Sequence, residues 1–178
     1  MSGASPAPAL TSAMVADLLS AQSSLITAEL EALGNDESGW HEKPGEWCVK
    51  ECIGHLIEAE RRGFAGRVRT FLEEDRPACI AWDPATVQRE RNDCTRSVRE
   101  LLDEFVRLRE ASIALVRGLR ADQLGRSGVH PQVGELTVSD LLHEWVHHDR
   151  NHTRQLLGVV QARVWSSMGN TRKFALID

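Results

Sequence analysis

Long apolar runs are missing from this chain, which nowhere offers the roughly 20 consecutive apolar residues that a membrane span requires. An excess of positive charge is missing too. The net charge is −5 with histidine neutral, and acids and bases are interspersed, which leaves no footprint for DNA or RNA as a partner. The stretch Met1–Leu10 is rich in Pro, Ala and Ser but lacks a basic start and an apolar core. It reads as a disordered leader and not as a signal peptide. Cysteine is scarce: Cys48, Cys52, Cys79 and Cys94, with no C-x-x-C pair. Two disulfides are open to these four in principle, but reduced thiols in a cytoplasm are the expectation. Strand alternation, internal repeats and low-complexity segments beyond the leader are also lacking.

What remains is ordinary in bulk. With 178 residues, 42% hydrophobic and 26% charged, the chain suits one globular domain that buries about 70% of its unfolded surface. Four helical patterns fill it, with a domain expected over residues 11–164 and a tail over 165–178. The first runs from about Thr11 to Leu33, with Met14, Leu18, Leu25, Leu30 and Leu33 at helical spacing, and stops at Gly34-Asn35. The second runs from Cys48 to about Glu74 on a stripe of Val49, Ile53, Leu56, Ile57, Phe64, Val68 and Phe71, ahead of Pro77. Asp83-Pro84 caps a third, expected to reach about Gly118 through Val98, Leu101, Leu102, Phe105, Leu108, Ile113 and Leu115. Thr137 opens the fourth, with Asp140 as reciprocal partner, and it continues to about Val164. Helices with one apolar face each bury it by forming an all-α four-helix bundle. The connections 36–47 and 121–136 are long enough to cross one end of the bundle and shape a site there.

The fourth helix carries two H-x-x-x-H pairs, His143 with His147 and His148 with His152. Residues four apart share a helix face, the spacing at which two imidazoles grip one ion. His148 and His152 border the apolar arc of Leu141, Leu142, Trp145, Val146, Leu156 and Val159, whereas His143 and His147 project among Arg150 and Arg154. Buried neutral imidazoles need partners, and a metal satisfies both at once. A histidine pair bonded to each other or to carboxylates is the competing reading. Asp149 points into the arc, either to orient a ligand or to pair with an arginine of another helix. His55, on the flank of the second stripe, is the third candidate ligand or else an exposed polar residue. Glu60, near the middle of that stripe, needs a partner: a structural ion pair, or a role beside the metal or as proton carrier. Three imidazoles leave a coordination position open, as in catalytic sites, unless Cys52 closes the set. The ion could be Zn²⁺, Ni²⁺ or Fe²⁺.

Two segments then carry a family resemblance. Trp47-Cys48-Val49-Lys50-Glu51-Cys52-Ile53-Gly54-His55-Leu56, followed by Glu60, resembles the W-S-x-x-E-x-x-x-H-L segment of the DinB-like (DinB/YfiT-like) superfamily. Thr137 to Leu142, continuing through His148-Asp149-Arg150-Asn151-His152 and Gln155, resembles its H-D-x-x-H-x-x-Q signature, and the Gly128-Val129-His130-Pro131 loop fits as well. The similarity spans about residues 10 to 160. It implies a four-helix bundle, often dimeric, whose His55, His148 and His152 bind a divalent metal, often Ni²⁺ or Zn²⁺. Relatives of this kind include thiol-dependent S-transferases, a mycothiol-dependent isomerase and metal-dependent hydrolases of unknown substrate. Cys48 departs from the serine of the motif, and since cysteine is a poor N-cap the reciprocal bond with Glu51 should weaken.

Three functions compete. A metal-dependent hydrolase or low-molecular-weight-thiol S-transferase, acting on a small molecule in the cytoplasm as a homodimer, calls for a cavity above the histidines. Its lining would come from Trp40, Trp47, Trp82 and His130, with Arg61, Arg150 and Arg154 as candidates to hold an anionic thiol. A non-catalytic metal-binding or stress-response protein would use the ion as a staple. A bare interaction bundle would need no metal at all.

Overall fold

Thr11 starts the first helix by accepting the Met14 N–H on its side-chain oxygen, and α1 runs over Ser12–Ser38. A computed structural model describes residues 8–176, so most of the expected leader and the last two residues lie outside the described residues. Gly34 adopts φ +70°, where a side chain would be strained, and kinks α1 at the expected stop; one further turn follows. In that turn Asn35 accepts the Val98 N–H at 2.7 Å.

The expected second helix is interrupted. α2 (Val49–Glu58) passes into a π turn at Ala59–Gly63, where the Phe64 N–H reaches back to the Ala59 carbonyl at 2.8 Å, and then into α3 (Ala65–Glu73). A Cβ on Gly66 would lie 2.0 Å from the Arg61 carbonyl oxygen, so this bulge tolerates no side chain there. The Cys48 side chain makes no cap hydrogen bond, but the reciprocal bond expected to weaken is present: the Cys48 N–H donates to Glu51 Oε2 at 2.8 Å.

The expected third helix is two. α4 (Pro84–Arg91), capped by Asp83, ends at Asn92 in the left-handed region (φ +49°). A 3₁₀ turn at Asp93–Thr95 leads to α5 (Val98–Arg117), opened by a Ser97/Glu100 capping box. The loop expected over 121–136 holds a 3₁₀ turn and an antiparallel hairpin, β1 (Ser127–His130) and β2 (Gly134–Thr137), paired from Ser127–Thr137 to His130–Gly134. Four-residue strands are too short to display alternation, which is why the pattern hid them. Residues 77–79 bond to Val129 along β1, and Arg126 Nε donates to the Phe71 carbonyl at 2.8 Å, tying the hairpin to the end of α3. α6 (Val138–Trp165) begins on the expected Thr137/Asp140 box, and a 3₁₀ segment, Gly169–Leu176, follows it.

α1 packs on α5 and α6, and α2 with its π turn packs on the same pair, which makes four rods: α1, α2–α3, α5 and α6. Their apolar faces form two clusters. One gathers Val15, Leu19, Phe64, Val68, Phe71, Val116, Leu141, Leu142 and Trp145; the other gathers Ile26, Leu30, Ile53, Leu56, Ile57, Leu101, Phe105 and Leu156. Between these positions along each rod lies a buried polar residue: Gln22, Glu60, Arg109 with Ser112, and Asp149. Arg109 joins Glu60 and Asp149, each at 2.6 Å, and Glu60 also receives Ser112 Oγ and, at 3.3 Å, Trp145 Nε1. The belt is buried, and its charged members face one another.

Candidate metal centre

His55 sits on the last turn of α2, and His148 and His152 sit one turn apart on α6. The rods cross so that one ring nitrogen from each lies within 4.8 Å of the others. His55 Nε2 and His148 Nε2 are 3.0 Å apart. The candidate fourth ligand, Cys52, does not join this group, and burial pushes its thiol up to about 12. The flank position of His55 proves to be an interior one, only 8% exposed.

The outer nitrogens explain how two of the rings are held. His152 Nδ1 faces Gln155 Oε1 at 2.9 Å, and His148 Nδ1 faces Asp149 Oδ1 at 3.5 Å. An oxygen at Nδ1 favours the tautomer that leaves Nε2 unprotonated and directed inward. His55 Nδ1 is buried with no partner. Burial, followed by the two neighbouring imidazoles, pulls His55 down to about 3; burial and then His148 lower His152. Three imidazoles with converging ring nitrogens, His55 and His152 made harder to protonate by burial, suit a cation. Two nitrogens bonded to one tetrahedral ion at 2.0–2.1 Å stand about 3.3 Å apart, close to the separation found. The donor set therefore fits a divalent ion.

Behind the histidines stands the charged belt. Asp149 turns one carboxylate oxygen to His148 and the other to Arg109, which is the pairing with an arginine of another helix that the sequence left open. Burial would raise Asp149, but Arg109 and then His148 outweigh it and hold the carboxyl below its ordinary range. Glu60 goes the other way: burial, which Arg109 only partly offsets, raises it. Its contacts are those of an ion pair, not of a metal ligand.

In front lies a cavity of about 960 Å³, lined by His55, Phe64, Trp82, His130, Leu141 and His148 among others. Trp82 and His130 are where the sequence placed them. Trp47 is on the other side, 5.2 Å from His55 and stacked on His152 at 6.2 Å. Trp40 is not in the site; it packs in the second apolar cluster under the Arg163 guanidinium. Arg61 is committed to Glu58 and Glu104, and Arg150 and Arg154 are exposed and absent from the lining. His143, expected to face solvent, is half-buried: it accepts the Leu10 N–H at 3.0 Å and lines the cavity.

The basic residue that does line the cavity is Arg67, whose Nε is buried without a partner. It lies three residues after Phe64 and four before Phe71, so its place on the apolar stripe was readable from spacing alone. Sequence reading also missed a second cluster, His41, Cys48, Glu51 and Cys94. No signal announced it, because His41 and Cys94 come to Cys48 and Glu51 from two other segments of the chain.

A family model described as the DinB superfamily matches residues 18–156. A candidate metal-dependent hydrolase of Oceanobacillus iheyensis is 20% identical over 133 residues, covering 75% of this chain and 76% of its own. Among solved structures, YfiT from Bacillus subtilis, described as a probable metal-dependent hydrolase with an unusual four-helix-bundle topology, superposes with a TM-score of 0.79 at 19% identity. The match covers 91% of this chain and 94% of that one. A mycothiol-dependent maleylpyruvate isomerase variant matches with a TM-score of 0.64 at 15% identity, over 83% of this chain and 61% of that one.

Proposed function

The chain belongs to the DinB superfamily, and on that premise we propose that it is a metal-dependent enzyme whose ion is held by His55, His148 and His152. The observation that carries this reading is the convergence of three imidazoles, two of them on the wall of a large cavity. A closed structural site would bury its fourth ligand there; instead His55 and His148 face open volume. When bound, a Zn²⁺ or Ni²⁺ ion, with Fe²⁺ as a further option, supplies a Lewis acid that makes water or a thiol more acidic.

The protein's own residues do the rest. Arg67, the one guanidinium in the cavity lining among the described residues, offers its positive charge to an anionic group of a small substrate, such as a carboxylate. Burial and then Arg67 lower His130, and its Nδ1 accepts the Gln132 N–H, so it lines the cavity as an imidazole whose Nε2–H can donate to a substrate oxygen. Trp82 and Phe64 shed water from the wall around His55 and His148. Asp149 orients His148 from behind. These features support hydrolysis of a small anionic substrate or transfer to a low-molecular-weight thiol, the latter in keeping with the mycothiol named for the isomerase. A homodimer accompanies this reading, to be checked by light scattering. Among the described residues, no helix is long and apolar enough to cross a membrane.

Elemental analysis of the purified protein tests the proposal. One equivalent of a divalent metal is expected at the imidazoles, and His55→Ala and His148→Ala should each lose it while keeping the helical circular-dichroism signal. Unchanged metal content in both variants would remove the triad. Removing the ion should lower the melting temperature only modestly, because both apolar clusters are complete without it. A collapse of helix content would favour the ion as a staple.

A further inference from the structure

We propose a second, closed site for a zinc-class divalent cation, built from His41, Cys48, Glu51 and Cys94. The four ligating atoms lie within 4.8 Å of one another, and they come from three segments that meet beside the N-terminus of α2. His41 lies in the loop before α2, Cys48 and Glu51 on its first turn, and Cys94 on the 3₁₀ turn at Asp93–Thr95. Two sulfurs, one imidazole nitrogen and one carboxylate oxygen form a donor set that matches zinc in kind and number.

The spacings are close to those of a filled tetrahedron. For bonds of about 2.3 Å to sulfur and about 2.1 Å to nitrogen or oxygen, the edges are about 3.8 Å for S···S, about 3.6 Å for S···N and about 3.4 Å for N···O. Here Cys94 Sγ is 3.7 Å from His41 Nε2, and His41 Nε2 is 3.0 Å from Glu51 Oε2. The two sulfurs stand 2.9 Å apart, so the half-buried Cys94 has to withdraw by about 0.9 Å, and exposed His41 has to ease away from Glu51 by about 0.4 Å. A disulfide, with its S–S bond of about 2.05 Å, would account for the two sulfurs alone. It gives no reason for His41 and Glu51 to turn their ligating atoms to the same point.

The cluster is held from outside as metal sites are. Glu51 Oε2 also receives the Cys48 N–H at 2.8 Å, and its Oε1 receives Gln88 Nε2 from α4. Cys94 is delivered by its neighbour. Asp93 lies so close against α2 that a Cβ on Gly54 would sit 1.7 Å from its Oδ2, and Arg91 and Arg96 anchor that carboxylate. An ion here would tie the loop that ends in Trp47, the wall of the imidazole triad, to α2 and to the Asp93 turn. This site stands independently of the function proposed above.

Cobalt titration of the full-length protein, reduced and stripped of metal, is the test. Only thiolate ligation produces sulfur-to-cobalt charge-transfer absorption, which an all-imidazole centre lacks. The band is expected in the wild type and, undiminished, in His55→Ala and His148→Ala; it should vanish in Cys94→Ser. His41→Ala, which keeps both thiols and changes an exposed residue, should retain the band with affinity reduced about tenfold or more. Absence of the band in reduced wild type overturns the proposal, whatever the triad binds. So does a band that disappears with His55 or His148 and survives Cys94→Ser. Zinc uptake that protects neither Cys48 nor Cys94 from alkylation overturns it as well.

Discussion

Arg109 is the residue on which the interior turns. Its guanidinium lies between Glu60 and Asp149 with essentially no exposure, and replacing it by alanine leaves two carboxylates buried without a counter-charge. Arg109→Ala is expected to destabilise the fold by about 3–5 kcal/mol, read from chemical denaturation midpoints. Asp149→Asn keeps the shape but weakens the acceptor behind His148, and should lower the affinity of the triad for its metal by about 10–100-fold with the fold intact. A metal titration followed by calorimetry would read this, and unchanged affinity would show that His148 orients itself. At this scale the sequence was legible where chemistry is concentrated. The spacing of His148 and His152 and the oddity of Glu60 and Asp149 inside apolar stripes pointed to real positions. Arg109 and Arg67 were not noticed, because a long cationic side chain on a helix commonly reaches solvent, and only the opposing carboxylates or cavity keep these two inside.

The elements show where periodicity stops informing. α2 and α3 share one apolar stripe in sequence, yet a π turn separates them; one inserted residue shifts the phase too little to be seen among mixed side chains. α4 and α5 also merged into one reading, although Ser97 and Glu100 carry the start signal of α5. The apolar pattern outweighed the cap. These interruptions place the functional side chains, since the turn between α4 and α5 presses Asp93 on Gly54 and sets Cys94 beside Cys48. Gly54→Ala is therefore expected to destabilise by about 1–3 kcal/mol, as overpacking does. Thermal unfolding of the variant checks this; a melting temperature equal to that of the wild type would mean that the turn yields freely.

Across the molecule, an ionic lattice joins α2, the π turn, α4 and α5. Glu58 pairs with Arg61 at 3.0 Å, Arg62 at 2.6 Å and Arg91 at 2.7 Å; Glu104 pairs with Arg96 at 2.7 Å and Arg61 at 2.5 Å. Burial alone would raise both carboxyls, but the arginine bonds outweigh it and lower them. A carboxyl lowered on folding stabilises the protein above its unfolded value, about 4.3, and that contribution fades as pH falls through the lower folded value. Denaturation midpoints should accordingly hold steady near neutral pH, begin to fall below about pH 6.5, where unfolding frees buried imidazoles whose affinity for protons folding has lowered, and drop more steeply below about pH 4.3. Glu58→Gln should flatten the drop, and a slope unchanged in that variant would assign the acid sensitivity elsewhere.

The belt of charge halfway along the rods has a further consequence for assembly. Grease against grease is indifferent to sliding, so two apolar clusters alone would accept neighbouring rods displaced lengthwise by a helical pitch of about 5.4 Å. Arg109, Glu60 and Asp149 would not, because such a slip would strand each ion in oil. Like the wards of a lock, they admit one alignment, and in that alignment the imidazoles of α2 and α6 come level.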